Sequence, residues 1–308
     1  MSETIKITGF SDGHQFRNAN RYIDTQKLFQ ELGLTNEVEN RTPTVGVNVA
    51  HLARMDAVQG LNKDINGRDL SVTILGISTA EGPSDFQKLL KGLGASHIST
   101  TAIDISDGIF SEIAKTDLDE VTCLLKDARE TGLPGSSQDF NLRDHIANCC
   151  PPEIDREINA EAVKILKPGG ISIVNITSSD LLSNSQGREV VDFFQLRSTI
   201  GEEIIRALQT NIYDLKELAE AFPEVDVESL RGLILEIEPG GSFVVFGEDE
   251  QGHGEWFRSI DDHKKLWKKD RFEIVEIATR EGKDSHSPPL ECMRHNVVLK
   301  KKLSVDEK

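Results

Sequence analysis

Short apolar, β-branched runs alternate along this chain with segments whose apolar residues recur at helical spacing. Val72–Ile77 predicts a first strand, Ser84–Leu93 a helix and His97–Ile105 a second strand. A further stretch from about Gly108 to Glu130 has helical periodicity. Strands that alternate with helices in this way indicate an α/β fold with a doubly wound, mainly parallel sheet.

The strands after this point allow more than one assignment. Ser137–Phe140 predicts a short third strand that ends in an acid, and Glu153–Leu166 predicts a helix. The fourth strand is either His145–Cys149 or Ile171–Ile176, and the second choice makes Phe243–Phe246 the fifth strand. Ile171–Ile176 has the apolar, β-branched composition of strands that are buried on both faces of a sheet.

The two ends of the chain complete this pattern. Asn18–Gly33 and Val47–Leu61 are amphipathic, and we expect residues 1–68 to form a helical extension to an α/β domain over residues 69–308. Near the other end, a helix and two strands are predicted at Asp261–Lys269, Phe272–Thr279 and His295–Lys302. Glu189–Gln209 and Leu215–Phe222 also predict helices. By position, the segment between Gly187 and Phe222 and the N-terminal helices are candidates for a substrate lid.

Composition narrows the class of partner. The chain has 308 residues, a formal net charge of −17 and a pI of about 4.9, which opposes binding to nucleic acid or to anionic lipid. Four cysteines include an adjacent pair but no CxxC spacing, and the histidines show no metal-ligand spacing. No apolar run approaches the ~20 residues of a membrane helix, and the N-terminus lacks a signal pattern. We expect a reduced, cytoplasmic protein without a metal.

The segment Ser71–Pro83, SVTILGISTAEGP, is the strongest candidate for a binding loop. A β-rich run ends in a turn of small residues before the next helix, and small residues allow a ligand close to the backbone. The loop has no lysine and contains Glu81, which suits a cationic ligand better than a phosphate. Asp104 ends the second strand, where such folds place a carboxylate for ribose hydroxyls.

These signals resemble the class I S-adenosylmethionine-dependent methyltransferases. Leu166–Gly170, LKPGG, is similar to the turn into that family's fifth strand, and Asp261–Lys302 is similar to its C-terminal β-hairpin. The loop resembles the chemotaxis-receptor glutamate methyltransferase variant Gly-Cys-Ser-Thr-Gly-Glu-Glu-Pro. The matching positions are Gly76, Ser78, Thr79, Glu81 and Pro83, while Ile77, Ala80 and Gly82 differ.

The resemblance implies S-adenosylmethionine as the cofactor of a Rossmann-like domain. The residues that it places along the methionine and ribose end are Gly76, Ser78, Thr79, Ala80 and Glu81. Asp104 is implied to accept hydrogen bonds from the ribose hydroxyls, and Asp139 with Phe140 to lie near the adenine. The acceptor is implied to be an O, N or S nucleophile of a small-molecule or protein substrate, and no catalytic residue is assigned.

Two other interpretations remain open. Cys150–Glu153, CPPE, resembles the [Asp/Asn/Ser]-Pro-Pro-aromatic motif of amino methyltransferases, but two prolines before a glutamate favour a helix start. The serine and alanine at positions 78 and 80, where glycines are usual, motivate a non-catalytic scaffold as the alternative function. A nicotinamide-dependent oxidoreductase ranks lower because its GxGxxG turn is absent.

Overall fold

The fold is taken from a computed structural model, which describes only part of the chain. The described residues are 45–77, 81–105, 110, 120–144, 146–148, 150, 152–178, 180, 189–192, 220, 223, 234–237, 242–245, 253–256, 258–284, 286–287 and 290–303. The predicted helix Asn18–Gly33 lies outside them. None of the helices in these ranges is long and apolar enough to cross a membrane.

Three short helices precede the sheet: α1 (Val45–Leu52), α2 (Asp56–Gly60) and α3 (Asn62–Ile65). The sequence predicts one helix over Val47–Leu61, and the structure interrupts it at Met55, whose backbone is extended (φ −74°, ψ 134°). Apolar side chains from all three helices are buried in the same core as the central strands. The helical lead-in therefore packs on the sheet, while the proposed boundary at residue 68 stays a prediction.

A seven-stranded mixed sheet forms the centre of the molecule. Its strands are β1 (Asp69–Leu75), β2 (His97–Asp104), β3 (Val121–Leu125), β4 (Gln138–Asp144), β5 (Leu166–Ser178), β10 (Phe272–Asp284) and β12 (Leu290–Lys301). The spatial order is β3-β2-β1-β4-β5-β12-β10. The first five strands are parallel, and β12 runs antiparallel to both of its neighbours.

This order confirms the predicted doubly wound α/β fold with a C-terminal hairpin. The order 3-2-1-4-5 is that of the dinucleotide-binding fold, and here the β10–β12 hairpin stands where a sixth parallel strand would lie. The helices α4 (Glu81–Gly92), α5 (Pro152–Ile165) and α6 (Ile260–Lys269) connect the strands. The LKPGG segment, which the resemblance implied as the turn into a strand, forms the first five residues of β5, with Gly169 at φ +74° before the buried run from Ile171.

The third strand differs from the prediction. It is β3, Val121–Leu125, so the predicted helix from Gly108 to Glu130 is wrong over these five residues. Residues 106–109 and 111–119 lie outside the described part. β3 is too short to show a clear period, and it is identified by its parallel pairing with β2 rather than by its own pattern.

The fourth strand is β4, Gln138–Asp144. The strand predicted at Ser137–Phe140 is therefore confirmed over its last three residues, but as the start of the fourth strand, and both predicted alternatives for the fourth strand are wrong. The segment after β4 contains a 3-10 turn at Ile146–Asn148, and Ile171–Ile176 belongs to β5. All seven residues of β4 are buried, although five of them are polar or charged, at positions 138, 139, 141, 143 and 144. Each of these side chains makes at least one hydrogen bond, although Nε and Nη2 of Arg143 have no partner among the described residues. The strand therefore lacks the apolar pattern that a search for periodicity requires.

Four strands of a second, antiparallel sheet lie between β5 and α6 in the sequence, and its fifth strand follows β10. Its strands are β6 (Glu189–Asp192), β7 (Ile234–Ile237), β8 (Ser242–Val245), β9 (His253–Trp256) and β11 (His286–Ser287), in the order β11-β6-β7-β8-β9. The predicted fifth strand at Phe243–Phe246 therefore falls in this sheet. The predicted helix at Glu189–Gln209 is wrong over β6, and its remainder beyond residue 192 lies outside the described residues.

Apolar side chains cover both faces of the large sheet. One cluster joins α1–α4 to strand residues such as Val72, Leu142 and Ile173. A second joins Trp267 of α6 to the opposite face, and a third surrounds Leu75 near the carboxyl end of β1. Each fully buried large apolar side chain contributes about 1.5–3 kcal/mol, so the two-sided core holds the strand ends in place.

Candidate functional site

The strand order locates a crevice at one edge of the sheet. The chain turns one way from β1 to β2 and β3, and the other way to β4 and β5. Ligands of open α/β sheets bind outside the carboxyl ends of the strands where the order reverses, which here is between β1 and β4. The residues that follow β1, β2, β3 and β4 therefore form the candidate site.

Gly76 follows β1 and has the left-handed backbone that favours glycine, with φ +73°. A Cβ at this position would lie 3.1 Å from Cβ of Ile146, in the turn after β4. The backbone N–H of Gly76 donates to the carbonyl of Ile103 on β2 (3.0 Å). The glycine thus lets the loop after β1 pass close to the ends of two neighbouring strands.

Asp104 ends β2 directly beside this loop. Its Oδ2 accepts a hydrogen bond from the backbone N–H of Ile77 (2.8 Å). The structure therefore brings together Gly76 and Asp104, which the sequence had predicted as neighbours across the cofactor. The carboxylate is only half-buried, so it lies at the crevice rather than in the core.

The rest of the predicted loop is described in part. Ser78, Thr79 and Ala80 lie outside the described residues, so their predicted contacts with the cofactor stay predictions. Glu81 begins α4, three residues earlier than the predicted helix start at Ser84. The N-terminus of α4, a helix of 12 residues, therefore lies directly after the loop that follows β1.

Asp139 and Phe140 are not at this edge. They are the second and third residues of β4, whereas the sequence placed Asp139 at the end of a strand. Val72 pairs with Phe140 and Leu75 with Arg143, so Asp139 is level with Ser71 and lies about five residues down the strands from Gly76, or ~17 Å. The structure does not bring Asp139 and Phe140 together with the predicted loop.

The carboxylate of Asp139 already has three partners at the amino edge. Oδ1 lies 3.3 Å from a guanidinium nitrogen of Arg68. Oδ2 accepts from Nζ of Lys167 (2.8 Å) and from the backbone N–H of Ser71 (2.9 Å). The side chain of Asp139 is 9% exposed. Its contacts indicate a structural role, in which it links its own strand, β4, to β1 and to the start of β5.

Sequence reasoning missed Asp127 and Ala128, which follow β3. Leu125 at the end of β3 pairs with Asp104, so these residues lie at the same edge as Asp104. Asp127 accepts from the backbone N–H and the Nε of Arg129, both at 2.8 Å, and this contact raises the pKa of Arg129. Ala128 is buried beside Leu75. They would have been found if β3 had been predicted as a strand, because they directly follow it.

The ends of β4 and β5 are tied together by amide side chains. Asn148 donates to the carbonyl of Thr177 (2.7 Å) and accepts from its backbone N–H (2.9 Å). The Nδ2 of Asn175 donates to Asp144 (2.9 Å). These hydrogen bonds connect the end of β5 to β4 and to the turn after it, while Oδ1 of Asn175 has no partner among the described residues.

The CPPE segment behaves as a helix start. α5 begins at Pro152, and proline suits the first helical position because its missing N–H has no intrahelical partner. The thiol of Cys150 is buried and lies 3.2 Å from the carbonyl of Ile146. The described residues therefore give no support to the amino methyltransferase motif.

A chain of hydrogen bonds lies at the carboxyl end of β5. Thr279 Oγ1 is 2.8 Å from Nδ1 of His295, whose Nε2 is 2.8 Å from Oγ of Ser178. Ser178 donates to the Oδ2 of Asp180 (2.5 Å). Burial lowers the pKa of His295, although the nearby Asp180 carboxylate opposes this effect. A neutral ring with its proton on Nε2 satisfies every contact in the chain.

Asp180 is the exposed end of this chain, with its side chain 35% exposed. It also lies 3.3 Å from the backbone N–H of Ile260, at the N-terminus of α6. Ser259 caps that helix by accepting from the backbone N–H of Asp262. A carboxylate at a helix N-terminus is stabilised by about 0.3–1 kcal/mol. No spacing in the sequence indicated this group, because Ser178 and His295 are 117 positions apart.

A buried polar network supports α5 and α6 behind the site. Arg143 donates to Asn159 (2.8 Å), and Asn159 donates to Asp270 (2.5 Å). Burial lowers the pKa of Arg143 to about 10, which leaves it charged at neutral pH.

His263 is fully buried, stacks on Trp267 at 5.5 Å and has no hydrogen-bond partner among the described residues. Burial, with Arg258 and Arg143 nearby, lowers the pKa of His263 well below its usual value.

Comparisons with known proteins identify neighbours by fold alone. No family model matches the chain, and no curated protein sequence matches it. A solved S-adenosylmethionine-dependent methyltransferase from Methanosarcina mazei is 16% identical, with a TM-score of 0.44, over 79% of this chain and 97% of that one. The 1,6-didemethyltoxoflavin-N1-methyltransferase of Burkholderia thailandensis, solved with S-adenosylhomocysteine, is 12% identical, with a TM-score of 0.47, over 97% and 94%.

Likenesses at these TM-scores carry no argument about what this chain does. The fold itself rests on the strand order and pairing, which are independent of any relative. The chain is an α/β protein with a doubly wound, Rossmann-like sheet that ends in an antiparallel hairpin.

Proposed function

We propose that the protein is an S-adenosylmethionine-dependent methyltransferase. One observation carries the proposal: the hydrogen bond from Ile77 to Asp104 brings a positive-φ glycine and a strand-end carboxylate together at the switch point of the sheet. The sequence had predicted both residues for this cofactor. The hairpin and the LKPGG turn, which carried the resemblance to class I methyltransferases, both occupy the places expected of them.

The residues at the crevice suit such a cofactor. Asp104 accepts hydrogen bonds from the ribose hydroxyls, and Gly76 allows the ligand close to the backbone. Asp127 and Ala128, at the next strand end, replace Asp139 and Phe140 as the groups nearest the adenine. Two carboxylates at one crevice also favour a cation over a phosphate. The bound cofactor supplies an electrophilic methyl group on a sulfonium sulfur.

The chain of hydrogen bonds at the end of β5 gives a role to Asp180. An O, N or S acceptor that takes a methyl group loses a proton, and a partly exposed carboxylate beside the crevice accepts it at a carboxylate oxygen. Ser178 and His295 orient that carboxylate by hydrogen bonding. The substrate is a small molecule or a protein, because a net charge of −17 disfavours nucleic acid.

Calorimetric titration with S-adenosylmethionine and S-adenosylhomocysteine tests this function. Saturable binding by the wild-type protein is expected, and Asp104→Ala loses hydrogen bonds to a charged group. Such bonds are worth roughly 1.5–3 kcal/mol, so affinity falls about 10- to 150-fold. Asp69→Ala is the matched control, because Asp69 is exposed at the opposite end of β1.

The alternative is a non-catalytic scaffold that retains the fold. The absence of glycine at positions 78 and 80 of the loop is the observation that favours it. A folded protein that binds neither ligand would support the scaffold and reject the enzyme. Binding without formation of S-adenosylhomocysteine, over a panel of small-molecule and protein acceptors, would separate cofactor binding from catalysis.

A further inference from the structure

A second cleft lies at the amino edge of the sheet, away from the proposed cofactor site. Its volume is about 280 Å³, just below the roughly 300–1,000 Å³ of small-molecule pockets. The cleft is lined by residues of α2 and α3, by the starts of β4 and β5, and by residues of the β10–β12 hairpin. Nothing in the proposed methyl transfer uses it.

One side of this amino-edge cleft is apolar. Leu61, Leu70, Phe140, Ile171 and Val298 line it and are each less than one-tenth exposed. Val275, at an irregularity of β10, also lines it and is 47% exposed, an unusual exposure for a large apolar residue among those described. An apolar wall that reaches solvent offers contact area to an apolar group.

The other side of the cleft carries excess positive charge. Arg68, Lys167 and Lys300 line it, against the carboxylates of Asp64 and Asp139. Asp139 is already shared by Arg68 and Lys167. Lys300 is exposed and has no hydrogen-bond or ion-pair partner within the described ranges. This local surplus of one positive charge stands in a chain whose net charge is −17.

The Pro168–Gly170 turn keeps the cleft open between these two sides. Gly169 has φ +74°, and a Cβ built on Gly170 would lie 2.9 Å from the carbonyl oxygen of Lys167. Both positions therefore exclude side chains. The side chain of Lys300 passes beside Gly169, with its Cε 3.8 Å from where a Cβ would be.

We propose that the amino-edge cleft binds a small amphipathic anion, a carboxylate or phosphate monoester that carries a short apolar group. The apolar group packs on Leu70, Phe140 and Val298, and the anionic head lies at Lys300 and Lys167. The proposal is independent of the methyltransferase function, because the cleft and the Gly76–Asp104 crevice are at opposite ends of the strands.

Methyl-detected NMR titration of the full chain tests the proposal. The probes are hexanoate and phenyl phosphate, with hexanol and inorganic phosphate as the neutral and purely ionic controls. Saturable shifts of the Val275, Val298 and Leu70 methyl groups are expected for both probes. Binding of only one probe would assign the head group as carboxylate or phosphate and still support the cleft.

Two pairs of variants make the result specific. Lys300→Gln removes an unpartnered cation and is expected to weaken probe binding about 2- to 5-fold, as for an exposed ion pair, whereas Lys302→Gln outside the cleft has no effect. Gly60 lines the cleft and a Cβ there meets no atom within 4 Å, so Gly60→Leu adds bulk at an open position of the cleft wall. It is expected to weaken binding more strongly, unlike Gly92→Leu, which is equally free of neighbours on α4.

Several outcomes would overturn the proposal. These are no saturable shifts with either probe, shifts equally strong with hexanol, inorganic phosphate that binds as tightly as phenyl phosphate, or equal effects of Lys300→Gln and Lys302→Gln. S-adenosylhomocysteine binding, measured in the same samples, reports separately on the other edge. The two proposals can therefore fail independently.

Discussion

Two aspartates at opposite edges of the same sheet show what decides the role of a strand acid. Asp104 is the last residue of β2, is half-buried and has a backbone amide of the neighbouring loop as its partner. Asp139 is near the start of β4 and is surrounded by Arg68, Lys167 and the backbone of Ser71. The sequence predicted each of them at the end of a strand. The direction of the strand, rather than the local composition, separates the acid at the crevice from the acid that holds the structure together.

Asp139→Ala is expected to have the largest effect on stability. If it also weakens cofactor binding, the contrast between Asp104 and Asp139 is wrong. The substitution removes a mostly buried hydrogen-bond acceptor, so we expect the free energy of unfolding to fall by about 1–3 kcal/mol. The loss is limited because Arg68 and Lys167 are exposed to solvent. Urea unfolding measures this loss. Affinity for S-adenosylhomocysteine should stay unchanged, and a tenfold loss of affinity would return Asp139 to the cofactor site.

Gly76→Ala tests the other edge. An alanine at φ +73° costs about 1–2 kcal/mol, and its Cβ meets Ile146 at 3.1 Å. Lower stability in urea is expected, together with weaker cofactor binding. Gly60→Ala is the control, since its Cβ meets nothing within 4 Å. Equal stabilities of the two variants would show that the loop after β1 is not constrained as described.

Asp127→Ala sharpens the assignment at the end of β3. If Asp127 contacts the adenine side of the cofactor, loss of one hydrogen bond of about 0.5–1.5 kcal/mol weakens affinity about 2- to 13-fold. Calorimetry with S-adenosylhomocysteine measures it. Arg129→Gln serves as the companion variant, because it removes the partner of Asp127 and leaves the carboxylate in place. Wild-type affinity in Asp127→Ala would place the adenine elsewhere.

The smallest expected effect is a pH dependence of stability. The pKa of His263 is lowered in the folded protein by burial and by Arg258, Arg143 and His295, while Asp262 opposes the shift. The unfolded chain then binds more protons below about pH 6.5, so the free energy of unfolding falls as the pH drops from 7 to 5. His263→Phe keeps the contact with Trp267 and should flatten this slope. A slope that stays the same in His263→Phe would assign the dependence to other groups, among them His295, whose pKa is shifted in the same direction.

Much of the fold could be predicted from the sequence because local signals were strong. The apolar residues of β1, β2 and α4 recur at the spacing of strands or helices, and the glycines of LKPGG directly precede the buried, apolar part of β5. Only the start of β4 was found in this way, as the strand predicted at Ser137–Phe140, because its later residues at 141, 143 and 144 are polar and bond to other elements. β3 is five residues long and is recognised by its pairing with β2.

The residues of the candidate site could be predicted only where the strands before them were predicted correctly. Gly76 and Asp104 were found because each stands at the end of a clearly patterned strand. Asp127 was hidden by the missing third strand, and Asp139 was misplaced by the wrong fourth strand. Ser178, Asp180 and His295 come together only through the pairing of β12 with β5, which no local pattern encodes.

The most direct test of this account is the backbone amide NMR spectrum of the protein titrated with S-adenosylhomocysteine. The account predicts saturable shifts at Gly76, Ile77, Asp104 and Ala128, and none at Ser71, Phe140 or Gly170. Shifts confined to the amino edge would contradict the division of roles between the two aspartates. No shifts at all in a folded protein would contradict the proposed cofactor site itself.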